Sequence, residues 1–158
     1  MDTPLSSAQL TALKAAINAE STPAFVTARQ ALDWAAMASF YNAASAFIVW
    51  KPSLTVAEMQ SVYVWSEILL LTPAQYNALT LMQAQGVLTP SIANVRTGMA
   101  AILAGATNTL SALTVLAKRA ATNGERVFAT GTGTSGSPGA LVVTGAMTER
   151  DLTLALNI

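Results

Sequence analysis

The chain has 158 residues, eight basic and eight acidic side chains that cancel, and no cysteine or histidine. The length suits one domain with a real core. The missing residue types exclude disulfides, zinc sites built from cysteine or histidine, and histidine-based catalytic triads. Only 10% of the residues are charged, against roughly 25–35% for a typical designed surface. We therefore expect partners to cover much of the surface.

The N-terminal part of the chain carries successive helix start signals. Ser6 and Gln9 have the spacing of a capping box, which predicts a first helix ending near Glu20. Thr22-Pro23 predicts a second helical stretch, because proline is favoured at the first helical position. Asp33 is placed to cap a fresh turn after a break in that stretch. The beginning of the chain, MDTPLSSAQL, lacks the basic and apolar regions of a signal peptide.

A short β-prone run interrupts the helical pattern at Phe47–Trp50 and stops at Lys51-Pro52. It predicts an extended crossover or a short edge strand. Thr55 and Glu58 then form another capping box, and the helix it opens is expected to contain Val62–Leu71. Because that stretch is apolar on nearly every side, we expect part of it to form a subunit interface.

The next helices are predicted from threonine caps and glycine stops. Thr72-Pro73, supported by Gln75, and Thr89-Pro90 repeat the same start signal, and Gly86 is placed as a stop. Thr107 or Thr109 is expected to cap a further helix whose last turn holds Lys118 and Arg119, near the negative end of the helix dipole. Two more capping boxes follow, at Thr122 with Glu125 and at Thr148 with Asp151.

The uncharged stretch Thr97–Ala117 raises the alternative of a membrane-spanning helix. Six threonine, serine and asparagine side chains dilute it, and two glycines interrupt it. A spanning helix needs about 20 predominantly apolar residues. Two buried helices that meet at Gly105 account for the pattern better, so no membrane association is predicted.

The segment Arg126–Ala146 is rich in glycine and threonine and has no charge after its first residue. It cannot be a helix and is too poor in large side chains to build its own core. We expect either a disordered tail or an arm that orders against something else, with a strand at Leu141–Thr144. The predicted fold is all-α: a compact bundle of about six helices in residues 1–128, an extended arm with one short β element in 129–147, and a short helix in 148–158.

No constellation of residues predicts an enzyme, a cofactor or a metal site. Gly131–Gly136 has the letters GxGxxG, but a nucleotide site needs a strand before it and a helix start after it. Ser135 and Ser137 have no adjacent base to activate them. Glu67 is expected to face solvent or to pair with Arg96 or Arg126 across an interface. With no basic cluster beyond Lys118-Arg119, nucleic-acid binding is not expected either.

The run Arg126–Thr134, which reads RVFATGTGT, leads into Ser137-Pro138, the apolar Leu141–Val143 and a threonine-capped terminal helix. This arrangement resembles a family of small head-module proteins of tailed bacteriophages. The resemblance implies a head–tail connector, or adaptor: a ring of identical subunits that contacts the portal and the tail or neck proteins in the virion, after assembly in the host cytoplasm. The alternative it leaves open is a capsid decoration or tail-tube-associated protein.

The residues expected at subunit interfaces come from the arm and from one aromatic side chain. Trp50, beside Lys51-Pro52, is the best candidate for an interface anchor. The arm is expected to add a strand to a neighbour's sheet edge. The predicted interface residues are Trp50, Arg126, Phe128, Thr130, Gly131, Thr132, Gly133, Thr134, Leu141 and Val143.

Overall fold

The computed structural model describes residues 4–158, which divide into two compact units. Unit 1 contains the residues up to Ile48 together with those from Ala120 onward, and unit 2 contains Val49–Arg119. The segment predicted as one helical body, residues 1–128, is therefore shared between two units. The arm and the terminal helix belong to unit 1.

Fourteen regular elements are found among residues 4–158. In chain order they are α1 (Ser7–Ala19), α2 (Pro23–Ala31), α3 (Trp34–Asn42), β1 (Ala44–Trp50), β2 (Leu54–Thr55), α4 (Val56–Gln60), α5 (Trp65–Ile68), α6 (Pro73–Gln83), β3 (Val87–Leu88), α7 (Ala93–Ile102), α8 (Thr107–Leu116), β4 (Lys118–Thr122), α9 (Asn123–Phe128) and α10 (Glu149–Leu156).

All five caps predicted with a partner three residues later are confirmed, and each is a capping box, including Thr72 with Gln75, where the sequence predicted only a cap. In each box the cap side chain accepts a hydrogen bond from the backbone of the third helical residue, whose own side chain accepts one from the cap backbone. Two of the donors that a helix start leaves unpaired are satisfied in this way. Asp33 also caps α3 as expected, since its carboxylate accepts from the Ala36 N–H at 3.0 Å. The pairs are Ser6 with Gln9, Thr55 with Glu58, Thr72 with Gln75, Thr122 with Glu125, and Thr148 with Asp151.

The predicted helix through Val62–Leu71 is wrong. The helix that Thr55 opens, α4, ends at Gln60, and only the single-turn α5 forms within the apolar stretch. The break before α5 is held by a tertiary contact, because the buried Thr109 hydroxyl accepts a hydrogen bond from the Val64 N–H at 3.1 Å.

Two other helix starts are also displaced. Thr89-Pro90 opens no helix. The next helix, α7, starts at Ala93, three residues after Pro90, and has no side-chain cap. Neither Thr107 nor Thr109 caps α8, whose N-cap position is Ala106. Lys118 and Arg119 lie in β4 and not in the last turn of α8.

The fold is mostly helical but not purely all-α, since it contains two small antiparallel sheets. β1 pairs with β4. The backbone bonds beyond the two ends of this pair run from Asn123 N–H to Ala43 and from Lys51 N–H to Ala117. β2 pairs with β3 in the register Leu54 to Leu88. Each sheet has only two strands, so its stability depends on packing against helices.

Each unit has its own hydrophobic core. In unit 1 the rings of Phe25, Phe40 and Tyr41 pack together, with centroid distances of 4.7–5.5 Å. Burial raises the pKa of the Tyr41 hydroxyl above its ordinary range. The core of unit 2 is aliphatic and methionine-rich. Its largest buried residues are Leu54, Met59, Tyr63, Ile68, Leu79, Leu88, Met99, Leu103 and Leu113.

The uncharged stretch Thr97–Ala117 forms most of α7 and all of α8, which are separated by a turn that contains Gly105. The two-helix interpretation is therefore confirmed. Among the described residues, no helix has both the length and the apolar character needed to cross a membrane.

Candidate functional site

The glycine arm, residues 129–147, is ordered against its own unit. Thr130 and Ala140 exchange backbone hydrogen bonds of 2.9 and 3.0 Å, which close the intervening residues into a loop. That loop pairs with β1, since the Ile48 N–H donates to Gly133 at 2.7 Å and the Gly139 N–H donates to Ile48 at 2.8 Å. Of the two expectations, the disordered tail is wrong for residues 130–140, and the element against which the arm orders is β1 of the same chain.

The Phe47 ring packs so closely against the arm that two positions of the arm require glycine. A Cβ atom added at Gly133 would lie 2.1 Å from the ring, and one at Gly139 would lie 2.4 Å from it. Gly133 also has a φ of +64°, in the left-handed region where glycine is strongly favoured. The backbone can therefore approach the Phe47 ring this closely only because both positions lack a side chain.

The threonines of the arm hold the shape of the loop tip. The Thr132 hydroxyl and the Thr134 N–H both donate to the Ser137 carbonyl, each at 3.1 Å. The Ser137 N–H in turn donates to the Thr134 hydroxyl at 3.0 Å. Thr130, Thr132 and Thr134 are exposed, so the arm presents a preformed polar surface.

The predicted strand at Leu141–Thr144 does not form. Val143 instead turns its side chain into the core of unit 1, while Leu141 is half-buried and Val142 is exposed. The chain then returns to the helices through Asn42, whose amide accepts from the Met147 N–H at 2.7 Å and donates to the Met147 carbonyl at 2.9 Å.

The structure brings some of the predicted interface residues together and separates others. Arg126, Thr132 and Gly133 line one shallow pocket with Phe47, and the Arg126 side chain is exposed. Phe128 belongs to the core of unit 1 and is only 8% exposed. Phe47, which anchors the arm, is not among the predicted interface residues, although a phenylalanine within a β-prone run was a signal that the sequence offered.

Trp50 lies in unit 2, and two cationic side chains contact its ring. The Arg96 guanidinium carbon is 4.6 Å from the centre of the Trp50 ring, and the Lys118 ammonium nitrogen is 5.3 Å from it. Arg96 is fixed there because it also donates to the carbonyls of Pro90 and Ser91, at 2.6 and 3.0 Å. Such stacking contributes roughly 0.5–1 kcal/mol at exposed sites.

An apolar pocket opens beside this ring, and we call it the Trp50 pocket. Its volume is about 60 Å³, which exceeds the roughly 10–15 Å³ that one water needs and is less than half of a roughly 150 Å³ cavity that holds benzene. A branched aliphatic side chain fits this size. The walls include Trp50, Leu88, Val95, Met99, Leu110 and Leu113.

The most exposed large apolar side chains of the described chain lie at the turn between α5 and α6. Leu69 is 82% exposed and Leu70 is 84% exposed, and we call this pair the leucine knob. Trp65, one helical turn earlier, is 57% exposed and lines a shallow cleft that also contains Tyr76. Three large apolar side chains of the stretch Val62–Leu71 thus face solvent.

The chain matches no family model, no curated protein and no solved structure with which it was compared.

Glu67, in α5, caps the N-terminus of α8. Its carboxylate accepts from the N–H groups of Asn108 and Thr109, at 3.1 and 2.8 Å, and from the Asn108 side-chain amide at 2.8 Å. These hydrogen bonds, with that from Thr109 first, hold the pKa of the Glu67 carboxyl below its ordinary value. In the described structure Glu67 therefore acts as the missing N-cap of α8, a role that its sequence neighbours do not indicate.

Replacing Glu67 with glutamine is expected to remove a pH-dependent part of the stability. Because the folded pKa is depressed, the ionised cap stabilises the protein above the ordinary glutamate pKa and is lost as pH falls through the folded value. Thermal melting between pH 7 and pH 3 should show a smaller acid-induced drop in Tm for Glu67→Gln than for the unmodified chain. Glu149→Gln, an exposed acid in α10, serves as the control, and equal curves for both variants would contradict this role.

The described residues contain no group of three or more acidic side chains placed to hold a metal ion. The GxGxxG-like letters Gly131–Gly136 fall inside the loop closed by Thr130 and Ala140, and the next helix after them is α10. Within the described residues no helix therefore starts directly after these letters, as a phosphate site of that type requires.

Proposed function

We propose that this protein is a structural virion protein of a tailed bacteriophage, a head–tail connector subunit that forms a ring joining portal and tail. It acts through its surfaces, as neither an enzyme nor a cofactor-binding protein. The phage assignment comes from the resemblance carried by Phe128–Thr134, Ser137-Pro138 and Thr148.

The observation that carries the assembly part of the proposal is the exposure of three large apolar side chains within one short segment, Trp65, Leu69 and Leu70. Exposed apolar side chains that are grouped, and not scattered singly, mark interaction sites. In a chain with only 10% charged residues, few charges are available to keep such a surface from associating. Identical subunits in a ring would cover it.

The glycine arm is proposed as the contact with the portal or the tail. Its exposed threonines and the exposed Arg126 form a polar surface that is already folded on Phe47. A preformed loop loses little conformational entropy on docking, which favours affinity.

The position of the protein in phage particles tests the proposal. In particles of a phage that encodes the chain with a C-terminal epitope tag, antibody labelling should appear at the single vertex where head and tail meet. Labelling spread over tail-free shells or along the tail would favour the decoration or tail-tube alternative. Label absent from particles that contain all other structural proteins would contradict both.

A further inference from the structure

We infer that the leucine knob of one subunit inserts into the Trp50 pocket of a second copy of this chain. The inference rests on the proposed function, because it assigns the contact by which identical subunits associate. Both surfaces lie in unit 2.

The knob is rigid before it meets a partner. Three successive backbone hydrogen bonds hold its turn, from the N–H groups of Leu69, Leu70 and Leu71 to the carbonyls of Trp65, Glu67 and Ile68, at 3.0–3.2 Å. The capping box at Thr72 fixes the residue that follows. Little backbone freedom is lost when a turn of this kind docks, which is the property of a good interface anchor.

The pocket matches the knob in size and in apolar character. Its volume of about 60 Å³ is far below the roughly 300–1,000 Å³ of pockets for drug-sized ligands. Its walls are aliphatic except for the Trp50 ring and the groups at the rim. One leucine side chain is therefore a better occupant than a free metabolite, and the knob offers two.

Charge complementarity favours a second copy of this chain as the source of that leucine. Arg96 lines the pocket, and the Lys118 ammonium lies over the Trp50 ring that forms one of its walls. The acidic side chain beside the knob is Glu67, three residues before Leu70, and its hydrogen bonds from α8 favour the ionised form. Docking the knob would bring this carboxylate toward the two cations, an arrangement that steers association and fixes register.

A ring is one of two ways in which this contact can join copies. Two subunits can exchange knobs about a two-fold axis, or each subunit can offer its knob to one neighbour and its pocket to the other, which is a heterologous contact. The connector proposal, on which this inference rests, requires the heterologous arrangement. A heterologous contact gives a closed ring if the rotation between subunits closes, and an open filament if it does not.

Site-directed disulfides test this contact without background, since the chain has no cysteine. Two knob variants, Leu69→Cys and Leu70→Cys, are each mixed with Thr114→Cys, which replaces a half-buried pocket-lining residue of similar size. An added copper–phenanthroline oxidant converts thiol pairs into disulfides when their Cα atoms come within about 4.4–6.8 Å. Leu81→Cys, a comparably exposed leucine on α6, is the matched control.

The expected result is a covalent dimer when at least one knob variant is mixed with Thr114→Cys, and no dimer from any variant alone or from Leu81→Cys with Thr114→Cys. A chain carrying both the knob and the pocket cysteine should give a ladder of higher oligomers. A dimer from a knob variant alone, equal cross-linking by the control, or no cross-link in the mixture would overturn the inference. If the unmodified chain still forms a ring without this cross-link, only the knob contact fails and the connector proposal stands.

Discussion

Replacing Phe128 with alanine is expected to lower the free energy of unfolding by about 3–5 kcal/mol, the usual cost of truncating a buried phenylalanine. Phe128 ends α9 and lies in the core of unit 1 among Leu13, Ile17 and Leu152. The loss combines the apolar surface returned to water with the cavity left in a close-packed interior. Urea unfolding followed by circular dichroism measures it.

The effect of Phe128→Ala also separates a core role from an interface role. Phe128→Leu, which keeps most of the apolar volume, should lose much less stability and should assemble normally. If Phe128→Ala unfolds at the same urea concentration as the unmodified chain but no longer associates, the side chain acts at an interface. That result would contradict its place in the core.

Replacing Gly133 with alanine is expected to cost about 2–5 kcal/mol. A left-handed backbone costs a residue with a Cβ roughly 1–2 kcal/mol, and overpacking against the Phe47 ring adds roughly 1–3 kcal/mol. Because the clash is with the ring itself and not with a flexible chain end, the arm must lift away from β1. Equilibrium urea unfolding measures the loss, and faster proteolysis within the arm should accompany it.

Two further variants identify the cause of the Gly133→Ala effect. Gly136→Ala lies in the same arm with nothing near its added Cβ and no positive φ, so its effect should stay within about 1 kcal/mol. In the double variant Phe47→Ala with Gly133→Ala, the ring that the new Cβ atom would clash with is gone. The double variant should therefore lose less unfolding free energy than the two single variants together, with a coupling of about 0.5–3 kcal/mol. Strict additivity would show that Phe47 is not the obstacle.

The capping boxes could be predicted from the sequence because their physics is local. In a capping box, the side chain of a threonine or serine and that of the acidic or amide residue three positions later each accept a hydrogen bond from the other residue's backbone N–H. This exchange needs no contact with the rest of the chain. Asp33 followed the same logic at α3. Where a helix start depends on a distant side chain, as α8 depends on Glu67, forty residues earlier, no pattern near Thr107 shows it.

The failures of sequence prediction share a non-local cause. The apolar stretch Val62–Leu71 has enough helical character to suggest one helix, but a hydrogen bond from the Val64 N–H to the buried Thr109 accompanies a break in it. The glycine arm lacks large side chains of its own, and the ring that orders it, Phe47, comes from β1 more than eighty residues before Gly133. Composition describes what a segment contains and not what packs against it.

The mass of the purified, unmodified chain in solution, measured by multi-angle light scattering across a range of protein concentrations, tests the central claim most directly. The connector account predicts one discrete oligomer of many subunits, because a heterologous contact whose rotation closes gives a ring with a fixed number of subunits. A particle of 16.4 kDa, the mass of a single chain, at every concentration would contradict a self-closing ring.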